Sequence, residues 1–252
     1  MLLKGVETKI DPWLPLLILV LGSMLSALIP PFQSPDEFDH IQRAYLLTRG
    51  QILLQSPQGR ASGGEIDTGL LSYFSEYKNL PFHAQKTLSQ EEEHDASSIN
   101  WSGRRIFRSA AGTGYYFPLA YLPQSIGLGL GESLGLSVGN SYRLARFFVL
   151  AFSITALVVA FSIFPVNAFI LGLLILPMSV FQFLSASLDA FTTALTCLSV
   201  SLFMRGYIGK LNFPMWMSYL LAICIVILST SRLHLLPFLV FPLLIWFVGG
   251  ER

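Results

Sequence analysis

Residues 13–40, WLPLLILVLGSMLSALIPPFQSPDEFDH, hold a long apolar run and, directly behind it, four titratable side chains: Asp36, Glu37, Asp39 and His40. At 1.5 Å per residue the run over 13–30 is long enough to cross a hydrocarbon core of about 30 Å. No small-residue cleavage site follows it, so it reads as an uncleaved signal anchor. The residues after it predict a helix start. Ser34 is placed as N-cap, Pro35 takes the first helical position and Glu37 completes a capping box. The helix is expected over 35–49, stopping at Gly50. On it Asp36, Asp39, His40 and Arg43 follow the i, i+3, i+4, i+7 spacing and share a face. Phe38, Ile41 and Tyr45 lie opposite, toward membrane or neighbouring helices. Acid and imidazole groups gathered at a membrane surface are costly to hold there and point to function.

Of the 252 residues 53% are hydrophobic and only 12% are charged, with a mean hydropathy of +0.59. A soluble domain carries about 25% charged residues, so the composition dictates an all-α, polytopic integral membrane protein. The net charge of +1 says nothing about nucleic acid, no basic stripe or aromatic platform suggests it, and no nucleic-acid partner is expected. Cys197 and Cys224 both fall in apolar runs and read as small buried residues, not as a disulfide or metal pair.

About six spans are expected, over 13–30, 144–164, 166–184, 190–204, 214–229 and 235–248, with Pro177, Pro237 and Pro242 inside them. The whole chain, 1–252, reads as one membrane domain with a large extracytoplasmic loop at 32–142. Segment 115–131 is apolar but broken by prolines and glycines, and fits either a seventh span or a helix in the interface. The interfacial reading puts Lys4, Lys9, the loop from Arg205 to Lys210 and Arg252 on one side. That side is then cytoplasmic by the positive-inside rule, with the N-terminus in the cytoplasm. The stretches 59–64 and 86–109 read as loosely structured, with the acidic run 91–95 as a solvated turn. Arg104, Arg105 and Arg108 suit either a bound phosphate or lipid headgroup, or simple anchoring to anionic lipid.

This topology sends three loops to the outer side, carrying Asp36, Glu37, Asp39, His40, Arg43, Asp189, Arg232 and His234. Carboxylates there serve as general base or metal ligand, and arginine or histidine stabilises a leaving phosphate. Each has a plainer alternative. Asp36 and Glu37 suit a helix N-terminus, Asp189 suits an N-cap or an ion pair with Arg232, and His234 suits an interfacial hydrogen bond. The zinc-protease pattern His-Glu-x-x-His is absent.

The motif order is Ser34-Pro35-Asp36-Glu37-x-x-His40 with Arg43-Ala44, then Phe117-Pro118-Leu119-x-Tyr121-Leu122-Pro123-Gln124, then Tyr142-Arg143-Leu144-x-Arg146. Leu176-Pro177-Met178 and Gln182-x-x-Ser185-x-Ser187-x-Asp189 complete it. It resembles the DUF2142 family of bacterial predicted membrane proteins, within the GT-C glycosyltransferase superfamily, over residues 13 to 245. The resemblance implies transfer of a sugar from a polyprenyl-phosphate donor to a cell-envelope glycan or lipid acceptor at the outer face of the cytoplasmic membrane. It implies Asp36 as catalytic base, Glu37 as its support or as a metal ligand, and His40, Arg43, Asp189, Arg232 and His234 as substrate-binding residues. A divalent cation, Mg or Mn, is left open, with Asp36 and Glu37 as its ligands. Members of that family are usually considerably longer. The expectation therefore includes a non-catalytic subunit awaiting a partner membrane protein, a transporter for lipid-linked glycans, or a truncated relic.

Overall fold

The computed structural model describes residue 11 and residues 13–57, 59–81, 83, 85–209 and 213–250. Lys4, Lys9, Lys210 and Arg252, on which the orientation expectation leans, lie outside them. Among the described residues the helices are α1 (Trp13–Leu28), α2 (Glu37–Thr48), α3 (Thr68–Tyr77), α4 (Gln90–Ser98), α5 (Leu122–Ser133) and α6 (Val138–Ile163). They continue as α7 (Ala168–Leu174), α8 (Pro177–Phe183), α9 (Leu188–Gly209), α10 (Met215–Ser231) and α11 (Val240–Gly250). One small antiparallel sheet pairs β1 (Gly63–Asp67) with β2 (Arg105–Ser109).

Helices α6 and α9 are long and apolar enough to cross a membrane, while Trp13–Leu28, Met215–Ser231 and Leu233–Phe247 are shorter apolar helices. The two long helices share one buried cluster, with Ala156 and Ala160 on α6 and Ala194, Leu195, Leu198 and Leu202 on α9. Small residues on this seam let the backbones approach where lipid offers no hydrophobic drive. Helix α1 lies against α6 through Gly22 and Ser26. Most of its other residues, Leu14, Leu17, Leu21 and Leu25 among them, are exposed in the isolated chain.

The run 166–184, expected as one span, is two helices of 7 residues each. Leu176 precedes Pro177 and sits at ψ 143°, the extended conformation that a following proline ring imposes. Segment 115–131 forms a 3₁₀ turn at Pro118–Tyr121 and then α5. With 12 residues, α5 is about 18 Å long, well short of a bilayer core.

The loop region 32–142 has its own aromatic core. Phe32 sits at φ +62°, a costly conformation for a bulky side chain. Its ring stacks on Phe38 at 4.5 Å and meets Phe74 at 4.9 Å and Tyr142 at 4.7 Å. Burying such a ring gives about 1.5–3 kcal/mol, enough to hold the strained backbone. The sheet was not expected; it is held by Asp67, whose Oδ1 accepts from the Gly69 and Ser102 N–H groups at 2.7 and 3.0 Å. Its Oδ2 accepts from the Gly103 N–H at 2.8 Å.

Helix α2 ends as expected. Gly50 adopts φ +71°, and the Gln51 and Gly50 N–H groups return to the Leu46 and Leu47 carbonyls at 3.0 and 2.9 Å, a Schellman closure. Its start differs. Asp36, not Ser34, occupies the cap position, at φ +56° and with no capping side-chain bond. Ser34 instead gives its hydroxyl to Gln182 Oε1 at 2.8 Å. The complete capping box lies elsewhere, between Ser89 and Glu92 at 2.8 and 3.2 Å, and it turns the acidic run 91–95 into helix α4.

The α5–α6 hairpin is close enough to need glycine. A Cβ at Gly127 would lie 2.4 Å from the Ala145 backbone, whereas one at Gly129 would meet only Thr48 Cγ2 at 3.7 Å. Gly127→Ala is expected to destabilise the protein by about 1–3 kcal/mol, and Gly129→Ala to be neutral or mildly stabilising. Thermal unfolding of both variants in detergent checks this.

Candidate functional site

The site begins with a buried acid. Glu37 has 0% of its surface exposed. Its Oε1 accepts from the Tyr142 hydroxyl at 2.6 Å and the Ala186 N–H at 2.7 Å, and its Oε2 accepts from the Ser34 N–H at 3.2 Å. Arg146 Nε lies 3.6 Å from Oε1. The guanidinium of Arg146 donates further to the Ser26, Ile29 and Pro30 carbonyls at 2.9, 2.8 and 2.9 Å. These are carbonyls at the end of α1, which no helical N–H can satisfy and where a cation is favoured. One carboxylate thus ties together α2, α6, the end of α1 and the turn 185–187.

That turn is pinned from two further sides. Gln182 Oε1 accepts from the hydroxyls of Ser34 and Ser187 at 2.8 and 3.1 Å. Gln124 Nε2 donates to the Ala186 and Ser187 carbonyls at 3.3 and 3.0 Å. Asp189 follows at once, in the first turn of α9, where the helix dipole favours a carboxylate.

A polar cluster forms around this lock. Asp36 is exposed at its left-handed position. Asp39 is partly buried, and burial first, then the neighbouring Asp36, raises its carboxyl above the usual range. His40 is buried, with Nδ1 at 3.0 Å from the Tyr121 hydroxyl. Burial first, and the Arg232 charge second, push its imidazole down to about 4. The Arg232 guanidinium forms an ion pair with Asp189, the pairing that sequence offered as an alternative to a site role. It also lies 5.8 Å from the centre of the Tyr116 ring. The Tyr115 hydroxyl donates to that of Tyr116 at 2.8 Å, and burial first, with that bond second, pushes the Tyr116 phenol up to about 12. The His40 and Tyr116 rings are 6.2 Å apart.

The structure therefore brings Asp36, Asp39, His40, Asp189 and Arg232 to one region, and Tyr115, Tyr116 and Tyr121 join them. Those tyrosines were legible only as interfacial aromatics. Three expected site residues are placed differently. Glu37 is enclosed, with both oxygens engaged, so Asp36 and Glu37 do not form a shared cation site. Arg43 is buried and spends its guanidinium on the Gln51 and Ile52 carbonyls at 3.0 and 2.5 Å, clamping the exit of α2. His234 is exposed on the 3₁₀ turn Leu233–Leu239, with no side-chain hydrogen bond among the described residues. Among the described residues no three His, Cys, Asp or Glu side chains converge to hold a metal ion. The principal cavities, of about 650, 360 and 160 Å³, are lined by none of Asp36, Asp189 and Arg232.

A family model described as a predicted membrane protein (DUF2142) matches residues 19–250. The chain belongs to that family. No curated protein and no solved structure matches it. Family and apolar helices together make this DUF2142 chain a membrane protein.

The depressed imidazole has a consequence for stability. Above pH 6.5 His40 is neutral folded or unfolded and contributes no pH dependence. Between 6.5 and about 4 the unfolded chain binds a proton that the folded one refuses, so stability falls as the pH falls. Asp39, whose carboxyl is raised, acts in the opposite sense at the acid end. The His40 contribution is therefore the difference between the native chain and His40→Gln. Unfolding midpoints of the native chain are expected to drop from pH 7 to pH 4.5 more steeply than those of His40→Gln.

Proposed function

We propose that this DUF2142 protein transfers a sugar from a polyprenyl-phosphate donor to a cell-envelope glycan or lipid acceptor. The reaction takes place at the outer face of the bacterial cytoplasmic membrane, with the chain's N-terminus in the cytoplasm. The observation that carries the reading is Asp36: an exposed carboxylate held at φ +56° with no capping bond, one turn before a second acid, in the same cluster as Arg232. Residues other than glycine are kept in that conformation only where the surroundings over-determine it, and such positions gather at functional sites. The order of motifs that resembles the GT-C enzymes supports the same reading.

The chemistry is a single displacement. The acceptor hydroxyl oxygen attacks the anomeric carbon, and the bond from that carbon to the phosphate oxygen breaks. The electron pair leaves on the lipid phosphate, and the hydroxyl proton passes to Asp36. Asp39, raised by burial and by Asp36, keeps a second proton acceptor in reach. Arg232 meets the charge growing on the phosphate, in exchange for part of its pairing with Asp189. His40, neutral at physiological pH, holds Tyr121 and adds no positive charge.

A second reading rests on the cavities of about 650, 360 and 160 Å³, none of which Asp36 lines: a non-catalytic subunit or transporter for lipid-linked glycans. Membranes containing the native chain, supplied with radiolabelled polyprenyl-phosphate sugars, separate the two. Transfer is expected from the native chain, falling about 10²–10⁴-fold in Asp36→Asn at unchanged protein level. Equal transfer by both chains would remove Asp36 as base, and no transfer from the native chain would favour the subunit or transporter.

A further inference from the structure

A cavity at the end of α1 lies away from the Asp36 cluster and takes no part in the chemistry above. It holds about 650 Å³ where the end of α1 meets the first turns of α6 and the segment after α3. A second cavity of about 160 Å³ lies between α1 and α6, lined by Ser23, Ala27, Phe147 and Leu150 among others. The two share Ser26, Ala27, Arg143 and Arg146. Ser23 is one turn back along α1 from Ala27, and Leu150 is two turns along α6 from Arg143. The pair forms one cleft that starts in a polar chamber at the helix ends and narrows along the apolar helices.

Its charge is one-sided. His83, Lys86 and Arg143 face Glu93 alone among the carboxylates that line the chamber. Arg146 is already spent on Glu37 and the α1 carbonyls. Arg143 is exposed and gives only one long bond, 3.3 Å, to Asn140 Oδ1. Neither Lys86 nor Arg143 forms a salt bridge among the described residues. Both cations therefore have donors to spare at the level where a spanning helix meets the headgroups. Basic pockets between membrane helices are suited to acidic headgroups. The apolar surface of α1 is exposed up to Leu25 and Leu28, so a lipid enters sideways without leaving the bilayer.

We propose that this cleft seats one anionic phospholipid, its phosphate held by Lys86 and Arg143 and an acyl chain laid in the groove between α1 and α6. A soluble phosphate has no use for the groove, and a zwitterionic lipid brings its own cation into a chamber already positive. The site is independent of the proposed transfer reaction and stands if that reading fails.

Native mass spectrometry of the full chain in detergent, titrated with dioleoyl phosphatidylglycerol or dioleoyl phosphatidylcholine, tests this. Phosphatidylglycerol is expected to bind roughly thirtyfold more tightly, since two basic residues at a membrane surface both favour the acidic lipid. That preference is expected to vanish in Lys86→Gln/Arg143→Gln, and to persist in Arg104→Gln/Arg105→Gln, which removes equal charge elsewhere. Ala27→Trp, which fills the groove and leaves every cation in place, is expected to weaken binding as well. Equal binding of both lipids, or an unchanged preference in the Lys86/Arg143 variant, overturns the proposal. So does displacement of the lipid by millimolar inorganic phosphate, which would make the chamber a soluble-anion site.

Discussion

The buried contact between Glu37 and Arg146 is the constraint on which the rest of the structure depends. A carboxylate and a guanidinium at this level are each too costly to bury alone. Here Glu37 is fully covered and receives Tyr142, Ala186 and Ser34 as well as Arg146. Arg146 in turn closes the carbonyl end of α1. The same few atoms therefore fix where the first helix ends, where α2 begins and where α9 starts. Hydrophobic packing could not set those positions in a membrane, because lipid is as apolar as the helix faces.

Both sites sit on the edges of this lock. On one side Glu37 holds the start of α2, and Asp36, the residue before it, is left in the left-handed conformation with its carboxylate in the open. Asp189 follows the pinned turn 185–187 and brings Arg232 into the cluster through their ion pair. On the other side Arg146 forms part of the wall of the lipid cleft. Arg146 thus touches both the cleft and the acid that positions Asp36.

Much of this was legible in the sequence, and the failures have physical causes. The large polar region between the first apolar run and α6, the stop at Gly50 and the gathering of Asp36, His40, Asp189 and Arg232 follow from patterning and from span ends. Glu37 and Arg43 did not follow. An i, i+3, i+4 rule assumes one wet and one dry face, whereas α2 is buried at Glu37, His40, Ile41, Arg43, Ala44, Tyr45 and Leu46, almost all round. A polar residue on such a helix is read as surface until its partners are known, and Tyr142 and Ala186 lie more than a hundred residues away. The capping signature was real but ambiguous: Ser34 and Ser89 each precede a glutamate by three, and tertiary demand from Gln182 took the Ser34 hydroxyl. The sheet was silent because Gly63–Asp67 has no alternating apolar face and depends on Asp67 for its shape. Gln124 and Gln182, visible as parts of motifs, carry the turn before Asp189, which spacing alone does not reveal.

The account stands on the coupling between Glu37 and Arg146. A double-mutant cycle with Glu37→Gln, Arg146→Gln and the double variant, followed by unfolding in detergent, measures it directly. Each single change is expected to cost about 3–5 kcal/mol, because it leaves a buried charge without its partner. The double variant is expected to be no worse than the weaker single one, a coupling of about 3 kcal/mol or more. Costs that simply add would contradict the account and leave α2 without its anchor.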